Sequence, residues 1–381
     1  MSLRIGLIRK HYTPYGGAEV FLQRFMAELL KRGHTLDIFS TGWEESEGVR
    51  VHKIGAWGPS FLKPLVFAFN AGSAVDRVSP DVVLSLERTF CQDIYRAGDG
   101  CHREWLERRG RTAPWFKRIL MRLSPKHLCL LYLEKRLFSS PRLDRVVANS
   151  KRVKEDIIRH YNLPEQKIFV IHNGIDASAF DTGGRDADRK SVREGLGIRQ
   201  DTALLLFVGS GFERKGLLYL IRAMGLLKDR DVSLLVVGKG DAARYIKEAA
   251  RLAVSDRVYF AGPVKDARRY YRAGDIFILP SIYEPFSNAC LEAMAAGLPV
   301  VTSRVNGVSE ILDEGVNSAI LDDPADHLEM AGKILTLLDA EKRRKAGESA
   351  RLEARKHSIE RNVSEFLSLL ERYRTEARIT N

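Results

Sequence analysis

Short apolar segments alternate with helical patterns along almost the whole chain, and this alternation restricts the fold more than any other feature. In the first half the strand-like segments lie at 3–9, 35–40, 82–86, 145–148 and 168–171. The second half repeats the scheme at 204–208, 233–237, 258–261, 276–279 and 300–302. Strands that alternate with helices form parallel sheets with helices on both faces. The pattern predicts an α/β fold built from two such halves.

The length of the chain also favours two domains, because 381 residues exceed what a single hydrophobic core usually supports. Between the two halves lies segment 177–200, which is rich in Gly, Asp and Arg. We interpret it as a flexible connection and predict that the domain boundary lies just before it.

The net charge limits the partners that the chain can bind, and the cysteines limit the cellular compartment in which it works. A net charge of +12 predicts an acidic partner, which could be nucleic acid, anionic lipid or a phosphorylated small molecule. No stretch reaches the ~20 apolar residues of a membrane-spanning helix. The four cysteines form no CxxC pair, so that reduced thiols in the cytoplasm fit them best.

Two glutamates flank a predicted helix start in the segment SIYEPFSNACLEAMAAGLPVV, residues 281–301. Ser287 is placed to cap the helix, Glu284 precedes it in the loop, and Glu292 lies in its first turns. Both glutamates follow the apolar strand 276–279, at the carboxyl edge where open α/β sheets bind ligands. Two carboxylates there indicate a ligand with hydroxyl groups.

A possible phosphate site follows the strand at 204–208. Gly209 and Gly211 lead to Arg214, Lys215 and Gly216, and then to a helix at 217–227. Two cations beside a helix start could neutralise a diphosphate, although a solvated turn explains the pattern equally well. The run is neither a GxGxxG motif nor a P-loop. Two further glycine loops, at 16–17 and 238–240, are weak signals by themselves.

Taken in their order along the chain, these segments resemble the family 4 (group 1) glycosyltransferases of the GT-B fold. The most specific part is the pair of glutamates separated by seven residues and followed by Gly-Leu-Pro-Val at 297–300. Ala148-Asn-Ser-Lys151 and His172-Asn-Gly-Ile-Asp176 also match the family. Within it, the runs at 15–17, 32–34 and 97–102 are similar to the enzymes that add glucose to heptose of the lipopolysaccharide core.

The resemblance implies two Rossmann-like domains that face each other across a cleft. Residues 1–172 would bind the acceptor, residues 173–357 would bind the nucleotide sugar, and helix 358–381 would pack back on the first domain. It also implies transfer of a hexose, with retained anomeric configuration, from a nucleotide diphosphate sugar such as UDP-glucose to a glycan or glycolipid. A front-face route and a covalent intermediate both remain open.

The resemblance assigns roles to individual residues. Glu284 would contact the donor sugar, Glu292 the ribose, and Arg214 and Lys215 the departing diphosphate. The remaining residues implied at the donor site are Gly16, Gly17, Asn173, Gly209, Gly238, Asn288 and Ala289. Asp99, in the run Ala97-Gly-Asp-Gly-Cys-His102, is the candidate to face the anomeric carbon, with His102 as the second choice.

No metal or other cofactor is expected. Asp186-Ala-Asp188 and Asp229-Arg-Asp231 have the Asp-x-Asp spacing of metal-dependent glycosyltransferases, but both fall in polar connecting segments. No HExxH motif or Cys/His cluster accompanies them.

The region 101–145 is basic and contains aromatic residues. We predict that it contacts an anionic membrane surface on the inner face of the membrane, where a lipid-linked acceptor would lie. The residues assigned to this acceptor and membrane surface are His102, Trp105, Arg108, Arg109, Arg111 and Trp115. A nucleic-acid patch or a solvated face has the same composition.

Three functions remain open from the sequence. The glycosyltransferase is favoured, and a GT-B sugar-nucleotide epimerase would share its nucleotide-binding half. A nucleic-acid-binding protein is supported by charge alone, and we expect no nucleic-acid partner. A hydrolase with two carboxylates explains the adjacent Arg214 and Lys215 less well.

Overall fold

The computed structural model describes residues 2–11, 17–44, 47–112, 114–180 and 183–379. The chain divides into two compact units. The N-terminal unit consists of residues 1–172 together with 359–381, and the C-terminal unit is the continuous segment 173–358. The chain therefore passes from one unit to the other twice.

The N-terminal unit contains a seven-stranded parallel sheet with the order β3-β2-β1-β4-β5-β6-β7. Its strands are β1 (Arg4–Ile8), β2 (Thr35–Ser40), β3 (Val49–Lys53), β4 (Val82–Ser85), β5 (Ile94–Ala97), β6 (Arg145–Ala148) and β7 (Ile168–Val170). Its helices are α1 (Gly17–Lys31), α2 (Lys63–Val78), α3 (His102–Thr112), α4 (Trp115–Leu123), α5 (Pro125–Phe138), α6 (Lys151–Tyr161) and, from the end of the chain, α14 (Ile359–Ile379).

The core of the N-terminal unit needs the last helix of the chain. Phe366 of α14 is 2% exposed and packs on Phe21 and Phe25 of α1, with ring centroids 4.9 and 5.9 Å apart. The guanidinium group of Arg96 in β5 lies 3.9 Å from the centre of the Phe21 ring. Helix α14 thus closes one face of the sheet.

The C-terminal unit contains a six-stranded parallel sheet with the order β10-β9-β8-β11-β12-β13. Its strands are β8 (Ala203–Val208), β9 (Val232–Val237), β10 (Val258–Gly262), β11 (Ile276–Leu279), β12 (Val300–Ser303) and β13 (Ser318–Leu321). Its helices are α7 (Arg185–Gly195), α8 (Leu217–Leu226), α9 (Ala243–Arg251), α10 (Arg268–Ala273), α11 (Asn288–Ala295), α12 (His327–Leu338) and α13 (Ala340–Arg355).

The fold class predicted from the sequence is confirmed, since both units are parallel α/β sheets. Ten strands were located within two residues of their ends, while three were missed: β3, β5 and β13. Strand β3 (VRVHK) is an edge strand without a buried residue, and strand β5 (IYRA) carries a buried arginine. Neither has the apolar run by which the other strands were recognised.

The interpretation of 177–200 as a flexible connection is wrong. Helix α7 occupies much of it and packs on α10. Arg193 in α7 is completely buried and donates to Asp275 at 2.6 Å, and Arg189 donates to the same carboxylate at 2.8 Å. The charges of this segment therefore form an internal network and are not a sign of disorder.

The four cysteines are buried and free. In the part of the chain that the structure describes, no helix has both the length and the apolar character that crossing a membrane requires.

Candidate active site

Arg214 and Lys215 lie in the loop between β8 and α8, at the carboxyl edge of the C-terminal sheet. Lys215 is buried, whereas Arg214 is half-buried. Gly216 follows them with φ of 77°, and a Cβ atom there would lie 1.9 Å from the carbonyl oxygen of Pro280. Only glycine lets the loop approach the end of β11 this closely, and this approach brings both cations to the loop that carries Glu284.

Glu284 binds both cations with one oxygen atom. Its Oε2 accepts from a guanidinium nitrogen of Arg214 at 2.8 Å and from Nζ of Lys215 at 2.9 Å. Burial by itself would raise the pKa of Glu284, but Lys215 and Arg214 more than offset it and lower the pKa below its ordinary value. The carboxylate is therefore charged at neutral pH, and the hydrogen bonds from Arg214 and Lys215 leave its other oxygen available.

Glu292 lies in α11, where Ser287 caps the helix by accepting from the backbone N–H of Cys290. Its Oε2 accepts a hydrogen bond from the hydroxyl of Tyr271 at 2.8 Å. Burial raises the pKa of Glu292, and the Tyr271 bond opposes this only in part. Tyr271 is completely buried in α10, so it holds the carboxylate in a fixed orientation. The sequence did not indicate this partner, because a tyrosine 21 positions away carries no local signal.

The two predicted asparagines contact each other, with Nδ2 of Asn173 donating to Oδ1 of Asn288 at 2.8 Å. Both are half-buried, as is Ala289 beside them in α11. The contact joins the first residue of the C-terminal unit to the first turn of α11.

The glycines expected near the donor have a packing role. Gly238 adopts φ of 143°, and a Cβ there would lie 2.2 Å from the carbonyl oxygen of Gly209. A Cβ on Gly209 would in turn lie 2.5 Å from the side chain of Lys215. These glycines therefore allow the loops after β8 and β9 to pack together and the Lys215 stem to lie over them. Gly16 lies outside the described residues, and Gly17 is the first residue of α1.

In the N-terminal unit, Asp99 is exposed in the turn after β5, and its carboxylate lies 3.7 Å from the guanidinium group of Arg88. His102 begins α3, and burial together with Arg88 lowers its pKa to about 4. The imidazole is therefore neutral at neutral pH, which suits it to hydrogen bonding and not to pairing with an anion.

Glu134 organises this turn and was not predicted. Its buried carboxylate accepts from the backbone N–H groups of His102 at 2.7 Å and Arg103 at 3.1 Å, which caps α3. It also accepts from Arg88 at 3.2 Å and from the Tyr161 hydroxyl at 2.6 Å. The available signal was a carboxylate among the apolar residues of α5, a position where an unpaired charge would be costly.

Two residues of the predicted membrane surface are half-buried. Arg108 pairs with Glu104 at 2.5 Å and has a side chain only 14% exposed. The ring of Trp105 stacks on His102, with the ring centroids 5.5 Å apart. The guanidinium carbon of Arg109 lies 5.1 Å from the centre of the Trp105 ring. Both side chains take part in the packing around α3, and the assignment of Trp105 and Arg108 to a membrane surface stays a prediction.

Helix α4 is the exposed element of this region. None of its residues is buried, and Trp115 is 74% exposed. Its exposed apolar residues share one face and are Trp115, Phe116, Ile119, Leu120 and Leu123. Arg118 and Arg122 of the same helix line a cavity of about 430 Å³ together with Arg111. The helix is amphipathic, with no covering partner among the described residues.

The two Asp-x-Asp sequences have structural partners. Asp188, in the first turn of α7, pairs with Arg272 at 2.8 Å, and Asp231 accepts from the Thr202 hydroxyl at 2.9 Å. Among the described residues, one group has metal-ligand spacing, namely Glu104, Glu107 and His160. The Glu104 carboxylate already pairs with Arg108 and Arg159, and two guanidinium groups on the same carboxylate disfavour a metal ion.

Comparison with known proteins agrees with this architecture. Residues 15–179 match the model of Glycosyltransferase Family 4, and residues 202–340 match that of Glycosyl transferases group 1. An uncharacterized glycosyltransferase of Methanocaldococcus jannaschii is 28% identical over 351 residues, which cover 83% of this chain and 84% of that protein.

Two solved structures are similar over nearly their whole length. One is WaaG, a glycosyltransferase involved in lipopolysaccharide biosynthesis, with a TM-score of 0.80 at 20% identity over 96% of this chain and 99% of that one. The other is Anabaena HepE in complex with UDP and glucose, with a TM-score of 0.73 at 20% identity over 97% and 99%. The two parallel-sheet units thus have the GT-B fold, and the two family models identify the chain as a glycosyltransferase. Within that class, the chain belongs to the family 4 (group 1) glycosyltransferases.

Proposed function

We propose that this enzyme transfers a hexose from a nucleotide diphosphate sugar, UDP-glucose or a similar donor, to a glycan or glycolipid with retention of configuration. The observation that carries the proposal is the arrangement of Arg214, Lys215 and Glu284 at the carboxyl edge of β8 and β11. A relative of the same fold was solved with UDP and glucose. The similarity to WaaG supports an acceptor such as the lipopolysaccharide core.

In this proposal the two cations act on the leaving group. Negative charge grows on the diphosphate as the glycosidic bond breaks, and cations that are fixed in advance stabilise it without rearranging. Glu284 holds Arg214 and Lys215 in position and offers its other oxygen to the hydroxyls of the sugar. Asp99 remains the candidate to face the anomeric carbon, because its family position and its exposure suit that role.

We propose that no metal ion takes part, because the cationic pair can offset the diphosphate charge that a divalent ion would otherwise neutralise. Transfer of labelled hexose from UDP-glucose to lipopolysaccharide-core acceptors should proceed in the presence of EDTA. Activity that is lost with EDTA and restored by manganese or magnesium would contradict this part of the proposal.

The donor is best identified by a thermal-shift screen of nucleoside diphosphates and nucleotide sugars, since a ligand that binds only the folded state raises the melting temperature. Chromatography of the products then separates a transferase from an epimerase, which would release a rearranged nucleotide sugar without an acceptor. A steep salt dependence of oligonucleotide binding, with no response to any nucleotide sugar, would favour a nucleic-acid-binding protein.

The two glutamates should differ in their effects. We expect Glu292→Gln to weaken binding of UDP itself about tenfold, because a charged acceptor bonds the ribose hydroxyls more strongly than a neutral amide. Glu284→Gln should leave UDP binding within about threefold of the wild type and impair transfer. Calorimetric titration with UDP checks the first effect and single-turnover kinetics the second.

Glu314→Gln provides the control for this pair, because that side chain is 47% exposed on the surface of the same unit. It should change neither the affinity for UDP nor the rate of transfer. Equal loss of UDP affinity in the Glu284 and Glu292 variants would show that the roles are misassigned.

We further propose that helix α4 attaches the enzyme to the inner face of an anionic membrane. Its exposed apolar face would insert at the headgroup level, and Lys117, Arg118 and Arg122 would attract anionic lipid at ~1 kcal/mol each. This assignment depends on Trp115 and Arg111 and not on Trp105 and Arg108, which are half-buried.

Replacing Trp115 and Leu120 by serine should release the protein from vesicles that contain anionic lipid, because most of the inserted apolar area is lost. Sedimentation with vesicles at low and high salt measures this. Trp57→Ser is the matched control, since Trp57 is 72% exposed in the same unit but outside α4. Wild-type protein that stays in the supernatant with fully anionic vesicles at low salt would refute the attachment.

A further inference from the structure

A cavity of about 340 Å³ lies in the C-terminal unit, at the amino edge of the sheet. The proposed donor site lies at the opposite, carboxyl edge. Asp275, which lines it, immediately precedes β11, whereas Glu284 follows the same strand. The four residues of β11 therefore place about 13 Å of strand between the cavity and the loop that carries Glu284. The cavity is formed by the start of α7, the residue Gly297 after α11, and one face of α13.

The walls of this cavity carry four arginines, Arg185, Arg343, Arg344 and Arg351. The two carboxylates that line it are already paired. Asp275 accepts from Arg189 and Arg193, which lie outside the lining, and Glu348 accepts from Arg344 at 2.7 Å. Positive charge therefore exceeds negative charge in and around the cavity.

Arg344 is paired with Glu341 at 2.9 Å as well as with Glu348, so its charge is already balanced. Two other lining arginines have backbone contacts. Arg343 donates to the carbonyl oxygens of Leu337 and Leu338 at the end of α12, and Arg351 donates to the carbonyl oxygen of Ala295 at the end of α11. These contacts fix the guanidinium groups without neutralising their charge, because a carbonyl group carries no net charge.

Arg185 differs from the other three. It is half-buried, and it makes no hydrogen bond or ion pair with any residue that the structure describes. Burial, followed by the neighbouring charge of Arg189, lowers its pKa below the ordinary value for arginine. The charges of Asp275 and Asp186 oppose this lowering only in part. A partly desolvated guanidinium group beside other cations is stabilised when a further anion joins it.

We propose that this cavity binds the phosphate group of a small phosphomonoester, or phosphate itself, through Arg185, Arg343 and Arg351. A guanidinium group matches phosphate geometry with paired N–H donors, and a phosphate dianion balances the excess charge. The cavity volume of about 340 Å³ leaves room for a small organic group attached to the phosphate. The site is separate from the donor site and goes beyond the proposed transfer reaction.

The test is calorimetric titration of the full-length protein with inorganic phosphate, at constant ionic strength maintained with chloride. Arg185→Gln and, separately, Arg343→Gln should each weaken binding at least about tenfold, since a hydrogen-bonded charge pair is lost. Lys345→Gln is the matched control, because it removes one positive charge from an exposed position of α13 outside the lining, with a side chain 69% exposed. It should bind phosphate as the wild type does.

A further variant separates this site from the donor site. In Lys215→Met the phosphate affinity should be unchanged, because Lys215 lies at the other end of β11. Phosphate binding that is lost in Lys215→Met and retained in the Arg185 and Arg343 variants would overturn the proposal, as would a wild-type protein that binds no phosphate. Parallel titrations with glycerol 3-phosphate and with phosphatidic acid vesicles show whether the phosphate comes from a soluble metabolite or a lipid headgroup.

Discussion

Replacing Lys215 by methionine is expected to lower turnover at saturating donor at least ~100-fold, the loss typical when one group that stabilises transition-state charge is removed. Methionine keeps an unbranched stem of similar size, so the packing of Lys215 over Gly209 is largely preserved. Arg214→Ala should have an effect of the same order. Steady-state kinetics with varied donor separates this loss of turnover from a change in donor affinity.

The control for the cationic pair is Lys228→Met, which removes an exposed lysine elsewhere in the same unit. It should leave turnover unchanged. Circular dichroism must show that the Lys215 variant is folded, because the change leaves the buried Glu284 with a single cation. Normal turnover in both the Arg214 and the Lys215 variants would disprove their role at the diphosphate.

Phe366→Ala is expected to destabilise the N-terminal unit by about 3–5 kcal/mol, since a fully packed aromatic ring is removed and a cavity remains. All four tryptophans of the chain, Trp43, Trp57, Trp105 and Trp115, lie in this unit. Tryptophan fluorescence during urea unfolding therefore follows the N-terminal unit without contribution from the other one. The midpoint should fall clearly in this variant.

Phe69→Ala is the matched control, because Phe69 is 48% exposed in the same unit. It should cost no more than about 1 kcal/mol. A Phe366→Ala midpoint equal to that of this control would mean that α14 contributes little to the core, contrary to its burial.

The features that were predictable from the sequence are those encoded within a short stretch of chain. The apolar runs of β8, β9 and β11 and the cap at Ser287 needed only their neighbours in sequence. Helix α7 was missed because its residues are mostly charged, and their burial depends on Asp275, which lies more than 80 positions away from Arg189 and Arg193.

The same limit applies to the site. The sequence indicated Arg214, Lys215 and Glu284, but a family resemblance was needed to relate the cations to the glutamate, and only the structure shows that they meet on one oxygen atom. Glu134 and Tyr271 were missed because hydrogen bonds between distant side chains leave no periodic pattern. For Trp105 and Arg108 the composition could not show that the first stacks on His102 and the second pairs with Glu104.

The contribution of α14 to the N-terminal core also determines when that core can form on the ribosome. Phe21 and Phe25 are made early, but their partner Phe366 follows only after the whole C-terminal unit has been translated. At 5–20 residues per second, the intervening ~200 residues take roughly 10–40 s. The C-terminal unit is continuous and can fold as soon as it emerges. The first unit to be synthesised is therefore the last to be completed, and its nascent apolar surface needs protection during that interval.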